Sequence, residues 1–318
     1  MKKITSILFS LLLFSSACSA QTPHSLLPKL PENNLNIVIA NDMGKRGESE
    51  QQNIANLLGE VVAQNNIAFL AIPGDPIHDD GVKSVDDQEW NLKIENIYTA
   101  PSLYTIPWYV VPGNHEYRGN VQAILDYSQK SERWNAPARY FTITRPIGSS
   151  GKECLFVFID TTPLIDKYRN DSEKYPEAAQ QDMNAQLAWI DSTLKASDAQ
   201  WKIVFGHHPV FAYTEKEESE RTDMQNRIMP LLEKNNVAFY IGGHIHSFQH
   251  IKPQGSQVNY VVNSSASKSR EVKPIAGTVF CNPDPGFSVL SVSADKIDFY
   301  MENHTGQVIY HYRLLLLR

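Results

Sequence analysis

The stretch "IAFLAIPGDPIHDDG", residues 67–81, is an apolar run that ends in a glycine and a carboxylate, with a histidine three residues after the carboxylate. An apolar run bounded by turn residues predicts a buried strand. Four other predicted strands end in the same way, with a polar side chain directly after or near a glycine. These side chains are Asp42, Asn114, His207, and the pair His244 and His246.

Helical patterns separate the predicted strands. Ile54, Leu57, Leu58, Val61 and Val62 share one helix face, and Ser49 with Gln52 predicts a capping box before them. Further helices are predicted around Met183–Leu194 and 222–234. This alternation predicts an α/β domain with a largely parallel sheet. From about residue 257, four strand patterns follow without helices, and we expect them to form a second, mixed or antiparallel sheet.

The first twenty residues have the layout of an export signal, because Lys2 and Lys3 precede the apolar run "ILFSLLLF" and small residues follow. Cleavage after Ala20 and lipid modification of Cys18 in "SSAC" are both compatible with this segment. We therefore expect a signal at 1–20, a flexible leader at 21–34 and one domain at 35–318. The predicted location is the periplasm, the cell envelope through a lipid on Cys18, or the medium.

The 318 residues carry a formal net charge of −6 without a basic stripe, which argues against nucleic acid as a partner. No stretch after the signal is long and apolar enough to cross a bilayer. We expect a monomer. Cys154 and Cys281 either form a disulfide or remain two separate thiols, and the sequence favours neither.

Six of the ten histidines lie in the short stretches at the strand ends, at positions 78, 115, 207, 208, 244 and 246. The carboxyl ends of strands in an open α/β sheet meet in one crevice, so these imidazoles should converge with Asp42, Asp75 and Asn114. Carboxylate, amide oxygen and imidazole are suitable ligands for zinc, manganese and iron. The set is large enough for two metal ions at the separation of about 3.5–4 Å that suits displacement at phosphorus.

The ordered motifs "ND", "GD", "GNHE", "GHH" and "GHIH" resemble those of the calcineurin-like metallophosphoesterases. The segments "QLAWIDSTL", "VFGHHPVF" and "YIGGHIHSFQHI" are similar to the small, tartrate-resistant purple acid phosphatases, and the resemblance spans roughly residues 36–313. It implies a four-layer α/β/β/α fold, a two-sheet mixed β-sandwich flanked by helices. It also implies hydrolysis of phosphate monoesters by in-line attack of a metal-bound hydroxide at a dinuclear centre.

Position by position, the resemblance implies that Asp42 and His246 bind the first metal and that Asp75 bridges both metals. The implied ligands of the second metal are Asn114, His207 and His244. His115, in "GNHE", matches a histidine that contacts the phosphate or the leaving oxygen.

The chain departs from the purple enzymes at His78, where they have a tyrosine. Other metallophosphoesterases supply a histidine from a first motif D-x-H, which here reads Asp42-Met43-Gly44. We predict that His78 replaces that histidine in the first metal's shell; the alternative is a surface histidine. Without a phenolate, the site should be colourless and hold two divalent ions of zinc, iron or manganese. Asn41 also stands where a glycine is usual.

Two departures concern acid catalysis, since Tyr117 and Lys216 occupy positions where the resemblance implies histidines. Protonation of the leaving group is therefore assigned to His115, His208 or Lys216. The leading prediction is an exported acid-phosphatase-like phosphomonoesterase acting on small phosphate esters. A phosphodiesterase or nucleotide pyrophosphate hydrolase on the same core, and an envelope binding protein that has lost turnover, remain as alternatives.

Overall fold

Two seven-stranded mixed sheets face each other in the computed structural model, which describes residues 26–316. The first sheet contains β1 Leu35–Ile39, β2 Ile67–Pro73, β3 Trp108–Val111, β4 Trp134–Asn135, β12 Gly286–Val292, β13 Lys296–Asn303 and β14 Val308–Leu315. The second contains β5 Phe141–Pro146, β6 Glu153–Ile159, β7 Trp201–Gly206, β8 Phe239–Gly242, β9 Phe248–Ile251, β10 Asn259–Val262 and β11 Thr278–Asn282.

Helices cover the outer faces of both sheets. They are α1 Gln51–Gln64, α2 Val121–Asp126, α3 Asp166–Arg169, α4 Met183–Ala196, α5 Glu218–Arg227 and α6 Met229–Lys234. A short π-helical segment spans Asn91–Glu95, and 3-10 turns lie at Pro101–Tyr104, Glu116–Arg118, Tyr127–Gln129 and Thr162–Leu164. No helix among residues 26–316 is long and apolar enough to cross a membrane.

The strand order explains why the polar strand ends meet. The first sheet runs β14-β13-β12-β1-β2-β3-β4, and β1 to β4 are parallel. The second runs β11-β9-β10-β8-β7-β6-β5, with β6, β7, β8 and β10 parallel. The predicted metal ligands follow β1, β2, β3, β7 and β8, so all of them leave parallel strands of the two sheets.

The strands are apolar on both faces because each sheet is covered twice. Ile37 and Ile39 of β1 pack between the sheets in one cluster with Phe69 and Phe156. Val38, between them in sequence, faces the opposite way, toward Ile54 and other residues of α1. A third cluster joins the second sheet to α4, α5 and α6. These clusters form the predicted four-layer arrangement, and the fold class is confirmed.

Two expectations from the sequence, one for the sheets and one for the start of α1, were wrong. The strands after residue 257 do not form a sheet of their own: β10 and β11 join the second sheet, whereas β12 pairs antiparallel with β1 and brings β13 and β14 into the first. Ser49 and Gln52 form no capping box, because α1 begins at Gln51. The Gln51 side chain instead accepts hydrogen bonds from the N–H groups of Lys45 and Gly47.

The two termini of the predicted organisation are only partly described. The export signal and Cys18 lie outside the described residues. Within the leader expected at 21–34, Leu30 is buried and its N–H donates to Asn65 Oδ1 at 3.0 Å, so the described part of the leader packs against the domain.

Cys154 and Cys281 do not form a disulfide, since four strands separate β6 from β11 in the sheet.

Candidate metal centre

Buried histidines and carboxylates converge where the five strands end. In each of four groups, one ligand atom per residue lies within 4.8 Å of the others. The groups are Asp42, His78 and His246; Asp75, His78 and His115; Asp42, Asp75 and His207; and His207, His208 and His244. The sets share members, so the side chains form one continuous cluster rather than separate pairs.

One oxygen of the Asp42 carboxylate is fixed by hydrogen bonds, and the other faces the cluster. Its Oδ2 accepts hydrogen bonds from the Asn41 side chain at 2.6 Å and from the His244 N–H at 2.8 Å. Its Oδ1 has no hydrogen-bond partner among the described residues, although His246 Nε2 lies 3.0 Å away. Burial alone would raise the pKa of Asp42, but His246 and His78 hold it well below its usual value. The asparagine that replaces the usual glycine thus orients this carboxylate.

His78 lies inside this cluster, 2% exposed, and is not a surface histidine. Its Nε2 is 3.6 Å from Asp42 Oδ1, and its ring lies 5.3 Å from that of His246. Both of its ring nitrogens lack hydrogen-bond partners among the described residues. A buried imidazole with two unpartnered nitrogens is costly unless something else occupies one of them.

The backbone explains why the first motif carries no histidine and why the second brings His78 into the cluster. The loops after β1 and β2 pair with each other, since Met43 N–H donates to the Asp75 carbonyl and His78 N–H donates to the Gly44 carbonyl. A Cβ at Gly44 would lie 2.6 Å from the Pro76 carbonyl oxygen. A histidine at position 44 is therefore excluded by this pairing, which itself places His78 beside Asp42.

Asp75 occupies the middle of the cluster. Its Oδ2 lies 3.0 Å from His207 Nε2 and 3.7 Å from His115 Nε2, and its Oδ1 accepts the His115 N–H. Burial would raise the pKa of this carboxyl, but His207 and His115 hold it well below its usual value. Gly113 allows the close approach, because a Cβ there would lie 2.2 Å from Asp75 Oδ1.

Asn114, His207 and His244 form the far side. Asn114 Oδ1 is buried without a hydrogen-bond partner among the described residues. The other two are oriented from behind: His207 Nδ1 lies 3.1 Å from the Pro73 carbonyl, and His244 Nε2 lies 3.0 Å from Glu220 Oε2. His207 Nε2 and His244 Nδ1, 3.2 Å apart, then face the same point. A carboxylate behind an imidazole is a common arrangement at metal sites, where it fixes the ring and its tautomer.

The three acid candidates have different surroundings. His115 faces the cleft with its side chain 20% exposed, and its Nδ1 is held by the Asp79 carbonyl at 2.6 Å, which leaves Nε2 toward Asp75. Burial, opposed by Asp75, lowers the pKa of His115 to about 4. Lys216 lies at the edge, where its Nζ donates to the His244 carbonyl at 2.8 Å, and burial with nearby Arg270 lowers its pKa to about 8.

His208 cannot act as predicted in this geometry. The hydroxyls of Thr161 and Tyr168 lie 2.8 and 3.0 Å from its Nδ1 and Nε2, and the side chain is fully buried. Both nitrogens are thus engaged behind the cluster. Tyr117 likewise points away from the cleft, with its hydroxyl bonded to Asp160 and Arg139.

Several functional residues were missed from the sequence because they act through their neighbours. Glu220 supports His244, and Glu116 accepts N–H bonds from Asp75, Ile77 and Gly113. The hydroxyls of Ser265 and Ser267 both donate to the Asp42 carbonyl at 2.8 Å. Only Glu116 carried a signal, as the last residue of "GNHE".

Left-handed backbone conformations concentrate at the predicted ligands. Asp42, Asp75, His244 and His246 have φ of 51°, 48°, 70° and 62°. Such values are uncommon for residues other than glycine and occur where the surroundings enforce them. Here the strands end and the chain turns sharply, which aims each side chain back over the sheet edge.

The donor set fits metal ions. Five buried atoms of predicted ligands have no hydrogen-bond partner in the described part of the chain: Asp42 Oδ1, His78 Nδ1, His78 Nε2, Asn114 Oδ1 and His246 Nδ1. Buried polar atoms are nearly always partnered in native proteins. Their convergence, with carboxylate, amide and imidazole donors, is what a site for borderline transition metals requires.

Comparison with known proteins identifies the family. The family model described as Calcineurin-like phosphoesterase matches residues 35–248. The chain belongs to the calcineurin-like phosphoesterase family. Purple acid phosphatase 3 of Arabidopsis thaliana is 30% identical over 95% of this chain and 84% of its own length. Tartrate-resistant acid phosphatase type 5 of Oryctolagus cuniculus is 29% identical over 67% of this chain and 65% of its own.

A solved structure supports the fold of this phosphoesterase. GAP50, described as the anchor in the inner membrane complex of Plasmodium, superposes with a TM-score of 0.77 at 23% identity, over 90% of each chain. The predicted family and the enzyme class, phosphoric monoester hydrolase, are confirmed by the phosphatase relatives. The family and its purple acid phosphatase members imply a dinuclear metal centre, for which the clustered histidines and carboxylates are the candidate ligands.

The cluster of this phosphoesterase opens into a cleft of about 570 Å³. His78, Asn114, His115, His244 and His246 line its floor. Charged side chains surround the mouth, together with the rings of Tyr168 and Tyr175. The volume is sufficient for a small phosphate ester, in agreement with a phosphoester substrate.

Proposed function

We propose that this phosphoesterase hydrolyses phosphate monoesters at a dinuclear metal centre built from the predicted ligands. The observation that carries the proposal is the convergence of unpartnered, buried donor atoms from His78, Asn114 and His246 on the floor of one open cleft, with the unpartnered oxygen of Asp42 grouped with His78 and His246. A structural role alone would leave these atoms unsatisfied, since each such group costs about 1–3 kcal/mol.

The ligands divide into two subsites that share Asp75. We define the first subsite as Asp42, His78 and His246, whose ligand atoms lie together. The second subsite is Asn114, His207 and His244, with Glu220 and the Pro73 carbonyl behind its imidazoles. Divalent zinc, iron or manganese suits this donor set, because no anionic phenolate is present.

Two bound cations would activate water at neutral pH and neutralise charge on the phosphoryl oxygens. The chain's own groups would bind and orient the ester. His115 Nε2 faces the cleft next to Asp75. The Asp79 carbonyl keeps the proton of the neutral ring on Nδ1, so Nε2 can donate to the phosphate or the leaving oxygen only when the ring is protonated. Lys216, at the opposite edge, can donate a proton to the leaving oxygen.

We also propose that the protein is exported, on the basis of the signal-like residues 1–20, with Cys18 as a candidate lipid attachment site. Mass spectrometry of the native amino terminus separates the alternatives. A lipid mass on Cys18 would establish the anchor, whereas an unmodified start at Gln21 would establish free export.

The function is tested by assaying the purified, metal-loaded protein with 4-nitrophenyl phosphate, bis(4-nitrophenyl) phosphate and ATP. We expect turnover of the monoester, its loss on exhaustive chelation and its recovery with divalent metal. Preference for the diester or for the ATP phosphoanhydride would favour the alternative hydrolases. Tight metal binding without turnover of any of the three would instead support the non-catalytic binding protein.

A further inference from the structure

The mouth of the cleft carries an excess of positive charge beyond the predicted ligands. Seven cationic side chains and five carboxylates line it. The cations are Lys45, Arg118, Lys167, Lys174, Lys216, Lys268 and Arg270, and the carboxylates are Asp79, Asp171, Glu215, Glu217 and Glu220. Bound metal ions would add to this excess.

The charges are distributed unevenly around the mouth. Lys167 forms ion pairs with Glu217 and Glu220 at 3.3 and 2.9 Å, and Lys45 pairs with Asp79 at 3.0 Å. Lys268 and Arg270 form no ion pair with any residue between 26 and 316. Arg118, Lys174 and Lys216 also form no ion pair among these residues, and Lys216 instead donates to His244 of the second subsite. Lys268 and Arg270 are distinguished by their position, because their segment adjoins the first subsite.

The segment that carries these two cations is fixed to the first subsite. Ser265 and Ser267 donate to the Asp42 carbonyl, and the Arg270 N–H donates to the His246 carbonyl at 2.8 Å. The Lys268 N–H donates to Ser265 Oγ at 3.2 Å. The backbone of both cations is thus held in position relative to the ligands Asp42 and His246.

Like charges are crowded here, and the carboxylates Asp79 and Asp42 offset them only in part. Burial and the nearby charges of Lys45 and Arg270 lower the pKa of Lys268. Such crowding destabilises the folded chain unless an anion offsets it. An adjoining pocket of about 430 Å³ shares Lys216 and Arg270 with the cleft and is floored by Ile245. This pocket offers space for the organic part of a substrate.

We propose that Lys268 and Arg270 bind a second anionic group of the substrate, so that preferred substrates are phosphate monoesters with a further phosphate or carboxylate. The inference rests on the proposed function. The scissile phosphate lies at the two subsites, and the second anion reaches the cationic side of the mouth. Lys45, although paired with Asp79, adds positive potential on the same side.

The test compares kcat/KM for fructose 1,6-bisphosphate and fructose 6-phosphate. The wild-type protein should prefer the bisphosphate about tenfold, because Lys268 and Arg270 would donate charge-assisted hydrogen bonds to the second phosphate. The double variant Lys268→Gln/Arg270→Gln should lose that preference while turning over the monophosphate within about twofold of wild type. Lys273→Gln, an exposed cation of the same loop that does not line the cleft, is the matched control.

Added salt should reduce the wild-type preference and leave the double variant unaffected, because screening weakens exposed charge pairs. A wild-type protein without preference, or a double variant that keeps it, overturns the inference.

Failure of the proposed function is recognised separately. If the metal-loaded wild type hydrolyses neither sugar phosphate nor 4-nitrophenyl phosphate, calorimetric titration with methylenediphosphonate and methylphosphonate replaces the kinetic assay. Weaker binding of only the diphosphonate by the double variant supports the second anion site. An equal effect on both ligands, or none, refutes it.

Discussion

Two buried carboxyl groups in this protein share one unusual property, an oxygen without a hydrogen-bond partner in the described part of the chain, but the charges around them differ. Asp42, at the cleft, and Glu302, on β13, are 0% and 3% exposed. Each has a carboxyl oxygen without a hydrogen-bond partner among residues 26–316, Oδ1 in Asp42 and Oε2 in Glu302. Glu302 faces a separate pocket of about 320 Å³ beside α1, which Glu60 also lines.

The neighbours of the two groups have opposite electrostatic effects. Burial would raise the pKa of Asp42, but His246 and His78 hold it well below its usual value. For Glu302, burial and then the charge of Glu60 raise the pKa from 4.5 to about 7. Asp42 is therefore ionised and suited to bind a metal cation, whereas Glu302 tends to remain protonated. An unpartnered buried carboxyl oxygen indicates a metal ligand only where neutral donors such as imidazoles surround it.

Replacing the carboxyl group by an amide should impair the protein at Asp42 and stabilise it at Glu302, and the effect at Asp42 should be the larger. We expect Asp42→Asn to lower kcat/KM on 4-nitrophenyl phosphate by more than 100-fold, because even partners behind metal ligands contribute about 10–100-fold. Metal content measured after dialysis should fall with it. Asp80→Asn, on the neighbouring exposed loop, is the control. Unchanged metal content in Asp42→Asn would contradict the assignment.

His78 tests whether a neutral donor completes the first subsite. The wild-type protein should be colourless, and His78→Ala should lose affinity for about one of two metal ions, by at least about tenfold. His78→Tyr reconstituted with iron should gain a broad visible band, since a phenolate would then stand near the cluster. A purple wild-type protein, or a His78→Ala variant that binds both ions as tightly as before, would contradict this role.

Glu220 is a buried carboxylate supporting a ligand rather than acting as one. We expect Glu220→Gln to weaken metal binding at the second subsite about 10–100-fold, because the amide no longer polarises the His244 ring. Competition with a fluorescent chelator measures the two affinities separately. Glu218→Gln, exposed on the same helix, is the control. Equal weakening at both subsites would argue for a general loss of structure.

The smallest effect is expected at Glu302. The folded chain keeps the Glu302 proton up to pH about 7, whereas the unfolded chain releases it near 4.5. Stability should therefore fall as pH rises through this interval. Glu302→Gln should remove that decline and raise the free energy of unfolding at pH 8 by about 1–3 kcal/mol, with little change at pH 4.

Urea unfolding at the two pH values measures this effect on stability. Glu60→Gln should produce a smaller gain in the same direction, because it removes only the second cause of the raised pKa. Phosphatase activity should not change in either variant. A Glu302→Gln variant less stable than wild type at pH 8 would show that the carboxylate has a partner that outweighs its burial.

The sequence was sufficient to predict the site residues that come shortly after the ends of strands. Asp75, Asn114 and His207 come shortly after the ends of apolar strands, and the local pattern predicts that all three lie at one sheet edge. His78 was predicted from what the first motif lacks, and the clash at Gly44 supplies the physical reason. Sheet membership after residue 257 was not predictable, because strand patterns do not reveal that β12 pairs with β1 across the chain.

The supporting residues could not be found in the same way. Glu220 belongs to a helix with an unremarkable acidic start, and only tertiary packing brings it to His244. The same holds for His208, which is the neighbour of His207 in "GHH" but has Thr161 and Tyr168 at its two ring nitrogens. Hydrophobic periodicity indicates which face of a helix or strand a residue occupies, but it does not indicate which side chain from a distant part of the sequence contacts that residue.

The left-handed backbone at Asp42, Asp75, His244 and His246 has a consequence for laboratory evolution. This conformation costs roughly 1–2 kcal/mol per residue for side chains other than glycine, so glycine at any of the four positions would relieve strain while deleting a predicted ligand. A population selected only for heat resistance would accumulate such replacements early. The thermostable descendants would keep both sheets and lose the catalyst, and only a screen that also demands turnover would retain it.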